Sequence, residues 1–400
     1  MRKAVIKNRL ATILIAVMIA VTALGGWASL FGQASAADSS VKLTYVSPSK
    51  IYSDSSKSKS KNAKTSKTKK STEAKSNKSS KSSNESSNGA PGKPPSDGQG
   101  GGQPPSGGQP PAGNQSGGQG GGANTQSYDY SGTNKGELTA SKKHVKVSNK
   151  TIKSTTADVN ALIAKSGGTL TVKNSKITKS GDDTNGDNVN FYGINSSALA
   201  VGKGSKLFLS KSSIASTSEG SNGIFSTDKA TVYANDVKIT TKKGGNSRGL
   251  DATYSGVIYA NKMNISTEGD HSASVATDRG GGYISVTNST FKTSGSGSPL
   301  IYSTGDIEVD AVKGTATGSQ IAGIEGQNRI LIYNSSLTST NDAISGSDPI
   351  KNGVIIYQST SGDAETASSK LGDFEAVDST LKTTISGGAM FYVTNTNAKV

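Results

Sequence analysis

Residues Ser221–Gly245 read SNGIFSTDKATVYANDVKITTKKGG, and Asn246–Asp270 read NSRGLDATYSGVIYANKMNISTEGD. Placed one above the other, they share a texture: a short apolar run, a turn, and a longer alternating run passing through Asn235 or Asn261. His271–Gly297 (HSASVATDRGGGYISVTNSTFKTSGSG) and Ser298–Ser319 (SPLIYSTGDIEVDAVKGTATGS) continue the series. Each unit holds three short strand-like runs in about 22–27 residues. A repeat of that length is the sequence mark of a solenoid, in which one supersecondary unit stacks on the next.

A polar marker precedes the third run at Asn174, Asn235, Asn261, Asn288, Asp310, Asn334 and Asp378. From Asn235 to Asn334 the spacings are 26, 27, 22 and 24, and the last interval, to Asp378, is 44. That interval fits one coil with an insertion around 360–373, or two coils of which one lacks the marker. Asn accepts left-handed backbone, and its amide can bond its own copy one turn away. Such a column suits a parallel stack that turns at one corner. Within the runs, Val232, Val237 and Ile239 alternate with Thr231, Tyr233, Lys238 and Thr240. Period two with one buried face predicts a narrow core of Val, Ile, Leu and Ala. The fold class predicted is all-β: a right-handed, three-stranded parallel β-helix of about eight to nine coils.

Composition agrees with a narrow core. Only 32% of the 400 residues are apolar, 5% are aromatic, 49 are Gly and none is Cys. The zero excludes a disulfide framework, a thiolate zinc site and a cysteine nucleophile. Two histidines, His144 and His271, do not supply a multi-histidine metal centre. The net charge of +15 lies mostly outside the repeats: +4 in residues 1–36, +8 in 37–125 and +3 in 126–400. No nucleic-acid module accompanies it, and nucleic acid is not an expected partner.

The amino end reads as an export signal over residues 1–36. Arg2, Lys3, Lys7 and Arg9 precede the uncharged apolar stretch Leu10–Leu24, and Ala34-Ser35-Ala36 offers small residues for cleavage. An uncleaved anchor is the other reading, since apolar residues continue through Trp27, Leu30 and Phe31. Either way, the membrane is met only through this segment. Residues 37–125 read as a disordered spacer. It is Ser/Lys-rich first, then Gly/Pro/Gln-rich with seven of the ten prolines, and too poor in apolar side chains to offset its ordering entropy. Its cations suit anionic cell-wall polymers. The repeat domain is assigned to 126–400. Because Val400 closes a strand-like run in mid-coil, the β-helix is expected to continue past it or to be covered there.

The marker column and three-run coils resemble right-handed parallel β-helix proteins of the pectin-lyase-like kind. NSRGLDATYSG (246–256), ATDRGGG (276–282), SPLIYSTGDI (298–307) and MFYVTNTN (390–397) are similar to segments of exported bacterial β-helix proteins described as adhesin-like. The resemblance implies secretion or display on a bacterial surface and contact with extracellular polysaccharide. It carries over no catalytic residue, because the fold hosts lyases, hydrolases, adhesins and inert stalks alike.

With the first runs in register, one face gathers Phe225, Asp251, Tyr302, Glu325, Tyr357 and Tyr392. Arg248, Tyr254, His271, Asp278 and Arg279 flank it. Phe225, Arg248, Tyr254, Tyr302, Tyr357 and Tyr392 are the expected sugar contacts, the rings packing on pyranose faces and Arg248 pairing with a uronate. Asp251 and Glu325, with Arg279 beside them, would be the acid, base and cation of a lyase or hydrolase. The competing reading is solvent-facing decoration with local Arg248–Asp251 and Asp278–Arg279 pairs. Asp182, Asp183, Asn185 and Asp187 gather oxygens as a calcium loop does. Asn188 and Ile194, however, stand where an EF-hand needs Gly and Glu, so a plain loop before the coil Ile194–Gly220 is the alternative. No cofactor beyond calcium is expected. The function expected is non-catalytic, adhesin-like binding, with a polysaccharide-cleaving enzyme or a structural spacer as rivals.

Overall fold

The computed structural model describes residues 127–242, 244–358 and 371–400. The export signal and the spacer expected over 1–36 and 37–125 lie outside the described residues. The repeats fold as a parallel β-helix. One sheet takes the first strand of each coil, in order Lys135–Ser141, Val159–Lys165, Ala198–Val201, Ile224–Thr227, Leu250–Ala252, Val275–Thr277, Ile301–Ser303, Ala322–Glu325, Asn352–Tyr357 and Ala389–Thr394. These are ten coils among the described residues, against the eight or nine expected: the first coil carries Asn149 at its corner, and the third has Lys211 there in place of a marker.

The second and third strands of the coils form a sixteen-stranded parallel sheet. In three consecutive coils they run on as single bent strands, Lys206–Ser216, Thr231–Thr241 and Gly256–Thr267. Along the second strands, Thr231 pairs with Val257 and Val257 with Tyr283, steps of 26 residues. Tyr283 pairs with Asp306 and Asp306 with Arg329, steps of 23. Arg329 then pairs with Asp373, a step of 44. The long interval is therefore one coil with insertions, and no coil has lost its marker there.

The alternation decides what is buried. Val232, Ala234, Val237 and Ile239 point into a continuous core with Leu250, Ile258, Ile265, Ile284, Ile307, Ile330 and Ile356. Lys238 is exposed and Thr231, Tyr233 and Thr240 are half-buried. Burying a Val or Ile stabilises by about 1.5–3 kcal/mol, so a one-sided row in every coil sustains the stack despite the low apolar content.

The marker column resolves into two adjacent positions. The left-handed residue at the corner is Asn174, Asp236, Lys262, Asn288, Ala311, Asn334 or Asp378. Asn235, Asn261 and Asp310 precede it by one residue, which is why the marker spacings read 26, 27, 22 and 24 where the left-handed positions step by 26, 26, 23 and 23. The side chains still form a ladder. Asn261 Nδ2 donates to Asn235 Oδ1 at 2.7 Å, Asn288 Nδ2 to Asn261 Oδ1 at 2.9 Å and Asn334 Nδ2 to Asp310 Oδ1 at 2.8 Å. Serines just past the corner add rungs: Ser212, Ser289, Ser335 and Ser379 each accept a backbone N–H from the preceding coil.

Candidate functional site

The outward face of the first sheet carries the side chains singled out above. Phe225, Asp251, Ala276, Tyr302, Gly323, Ile355 and Tyr392 are successive partners in one column. Glu325 pairs with Tyr357 two residues further along the same strands, hence on the same face. The inward neighbours Leu250, Val275, Ile301 and Val354 belong to the core. The structure thus brings all six face residues to one side of one sheet.

That face is not open throughout. Asn185 caps a seven-residue helix, α1 (Gly186–Tyr192), by accepting Asn188 N–H on its side chain, and Gly193 ends it at φ 70°. The helix lies on the middle of the sheet. Thr253 Oγ1 donates to Phe191 O at 2.8 Å, Asn222 Nδ2 to Val189 O at 3.2 Å, and Arg248 Nη1 to Asn190 Oδ1 at 2.9 Å. Tyr192 stacks on Tyr254 with centroids 5.7 Å apart, and Tyr128, from the segment before the first coil, meets both rings edge-on. Phe225 is fully buried with Ile163, Leu199 and Val201. Phe225 and Tyr254 are therefore structural contacts beneath α1, where the sequence suggested rings open to solvent.

Under the helix edge sits a buried ionic group. Arg248 Nη1 meets Asp251 Oδ2, and its Nη2 meets Asp278 Oδ2, both at 3.0 Å. Asp251 is fully buried, and its Oδ1 has no hydrogen-bond partner among the described residues. Burial pushes the Asp251 carboxyl up to about 8 against the pull of Arg248, and the charge of Asp278 adds to the rise. Burial also raises Asp278, again opposed by Arg248. Arg279 lies 3.7 Å over the Phe191 ring, and its N–H donates to Asp278 Oδ1.

Beyond Arg248 the face opens into a cavity of about 180 Å³. Its walls include Arg248, Asp278, Tyr302, Gln320, Asp348 and Tyr357, with His271 and Ser345–Ser347 also in the lining. Tyr302 OH donates to Glu325 Oε2 at 2.5 Å, and Tyr357 OH reaches the same oxygen at 3.4 Å. Burial and the Glu325 charge drive both phenols above their usual range. Asp348, raised by burial, accepts from Gln320 at 3.3 Å and from Asn352 at 2.7 Å. Tyr392 stands in the column three coils beyond Tyr302 and does not line the cavity.

The oxygen-rich run at 182–188 serves the start of α1. Asp182 Oδ1 accepts Glu219 N–H at 2.9 Å and Asn185 caps the helix. Among the described residues, no group of three or more His, Cys, Asp or Glu side chains is arranged to hold a metal ion. Sequence reasoning missed α1 as a cover. The clue was local: a capping Asn185 followed by Val189, Phe191 and Tyr192, apolar side chains in an otherwise polar stretch. Gln320 and Asp348 gave no signal of their own.

The acids of the site give a signed pH dependence. A carboxyl whose folded value is raised binds its proton more tightly folded than unfolded, so stability is fully present below the unfolded value and is lost as pH rises through the folded one. The window runs from roughly 4, the ordinary Asp value, to about 8 for Asp251. Asp278 and Asp348 shift the same way. The thermal midpoint is expected to fall between pH 5 and pH 8, and Asp251→Asn should flatten that slope. A midpoint rising over this range contradicts the assignment.

Compared with known protein families, with curated proteins and with solved structures, the chain gives no match.

Proposed function

We propose that the chain is an exported, adhesin-like surface protein whose β-helix binds carbohydrate without cleaving it, at the cavity beside Tyr302 and Tyr357. The observation that carries this reading is the cavity itself. It is of single-ring size, about 180 Å³, with two phenols, the Gln320 amide and two carboxylates converging on it. Concave sites with a few fixed polar groups are the usual form of small-ligand sites. The export and spacer segments expected at the amino end fit display at a bacterial surface.

The charges choose the sugar. Both terminal nitrogens of Arg248 are engaged by Asp251, Asp278 and Asn190, so the pairing with a uronate expected of it would require breaking a buried ion pair. Asp278, Asp348 and the adjacent Glu325 leave the cavity rich in acid. A neutral or amine-bearing sugar suits it better than a uronate. Cleavage would need carboxylates free to act on a substrate. Asp251 is buried in its ion pair, and Glu325 accepts from two tyrosines.

The test incubates the protein with neutral, amino-sugar and uronate polymers, with and without calcium, and follows both retention and new chain ends. Retention of a neutral or amino-sugar polymer without new ends is expected, falling at least about tenfold in Tyr357→Ala, the scale of one well-packed aromatic contact. Release of reducing or unsaturated ends would replace binding by catalysis. Silence in both channels removes the carbohydrate reading.

A further inference from the structure

Lys179 ends the strand Lys176–Lys179 at an inward position. Its column is otherwise small: Ser154 one coil back, Ser216 one coil on, then Thr241, Thr267 and Thr293. The lysine is 1% exposed, yet no salt bridge reaches it among the described residues. Among the described residues its Nζ donates to main-chain oxygens, Thr156 O at 2.9 Å and Gly181 O at 2.5 Å. An ammonium left in such a place is costly, and burial lowers it to about 8 against the pull of the acids nearby, Asp158 and Asp182 foremost. A free amine is therefore accessible near neutral pH.

The oxygen of Gly181 has a second donor. Asn195 Nδ2 reaches it at 3.0 Å, and also reaches Gly220 O at 3.1 Å and Glu219 O at 3.3 Å. Asn195 is fully buried, and the three carbonyls fix which way its amide points. Its Oδ1 has no hydrogen-bond partner among the described residues. The third group is Asp183. It packs so closely on Gly220 that a Cβ there would run into its carboxylate. Burial raises the Asp183 carboxyl, so it holds a proton more readily than an exposed acid. Amine and carboxamide thus share the Gly181 oxygen, and the proton-holding acid lies against Gly220, whose oxygen the same carboxamide reaches.

We propose that Lys179 and Asn195 join in an intramolecular isopeptide bond, with Asp183 carrying the proton. The neutral Nζ attacks Cγ of Asn195 while Asp183 donates toward Oδ1. The new Nζ–Cγ bond forms, the Cγ–Nδ2 bond breaks, and Nδ2 leaves as ammonia with the proton that Nζ gives up, relayed by Asp183. Nothing is oxidised or reduced, and no co-reactant is needed. The bond closes residues 180–194 into a ring, and that ring contains α1, the cover of the candidate site.

Tryptic mapping of the full chain tests this directly. Cleavage after Lys176 and Lys203 bounds the segment, and Lys179 is the one internal tryptic site. In the cross-linked protein, 177–203 is expected as one peptide, lighter than its sequence by one ammonia, with no backbone fragment ions between 179 and 195. Asn195→Ala and Lys179→Arg should each give 177–179 and the following peptide separately, without that loss. Asp183→Ala should leave most of the chain unlinked. A succinimide at Asn185 or Asn195 also loses ammonia but leaves Lys179 open to trypsin, and that pattern counts against the proposal. Recovery of 177–179 and 180–203 from the wild-type protein at sequence mass overturns it.

Discussion

Arg248→Met is expected to lower the stability of the β-helix by about 3–5 kcal/mol, the usual cost of removing one member of a buried ion pair. The guanidinium lies between Asp251 and Asp278, and its side chain is 9% exposed against 0% for Asp251. Without it, a fully buried carboxylate has no counter-charge, and Asp251 must take up a proton or draw in water. Arg248→Met combined with Asp251→Leu removes both charges and should recover much of the loss, since apolar replacement of a whole buried pair is often neutral or better. Thermal melts of the three proteins at pH 9, where Asp251 is charged beside Arg248, give the comparison. Equal damage in the single and double variants would mean that Arg248 matters through its bond to α1 at Asn190, not through charge.

The second large effect is expected at Gly193. It combines φ 70° with a close approach: a Cβ there would lie 2.5 Å from Phe225 Cδ1 and 2.8 Å from Leu199 Cδ1. Gly193→Ala therefore adds left-handed strain of about 1–3 kcal/mol to overpacking of about 1–3 kcal/mol. The ring cannot retreat, because Phe225 is enclosed with Ile163 and Leu199. The helix is the softer partner, so hydrogen exchange in 186–193 should rise by two orders of magnitude or more, while the strands of the core keep their protection. Unchanged exchange in α1 would show that the contact relaxes without lifting the helix.

The fold was legible because the coil is a local rule repeated. Val232, Val237 and Ile239 alternate with polar neighbours, and alternation fixes which side is buried whatever the exact register. The corner was read one residue out in several coils. Asn serves equally at the left-handed position and just before it, as Asn288 and Asn261 do, so identity alone does not mark which one turns. In the site, Phe225, Asp251, Tyr302 and Tyr392 share a column because the steps between them keep register. Glu325 and Tyr357 fall two residues further on, an offset that preserves the face. What sequence could not supply was the cover. Arg248 meets Asn190 from 58 residues away and Tyr254 meets Tyr128 from 126. Neither contact follows the repeat, so no periodic signal points to it. Residues expected to greet a ligand, Phe225 and Tyr254, instead hold the helix that hides them.

The constant step between coils also sets an order of assembly. Each strand finds its partner 26 or 23 residues back over much of the stack. A chain that emerges amino end first can therefore add one coil at a time, each finished coil templating the next without long loop searches. The aromatic clasp is the exception. Tyr128 and Tyr192 must wait until Tyr254 has been delivered and its coil closed, so the earliest part of the described chain is locked down only after five coils exist.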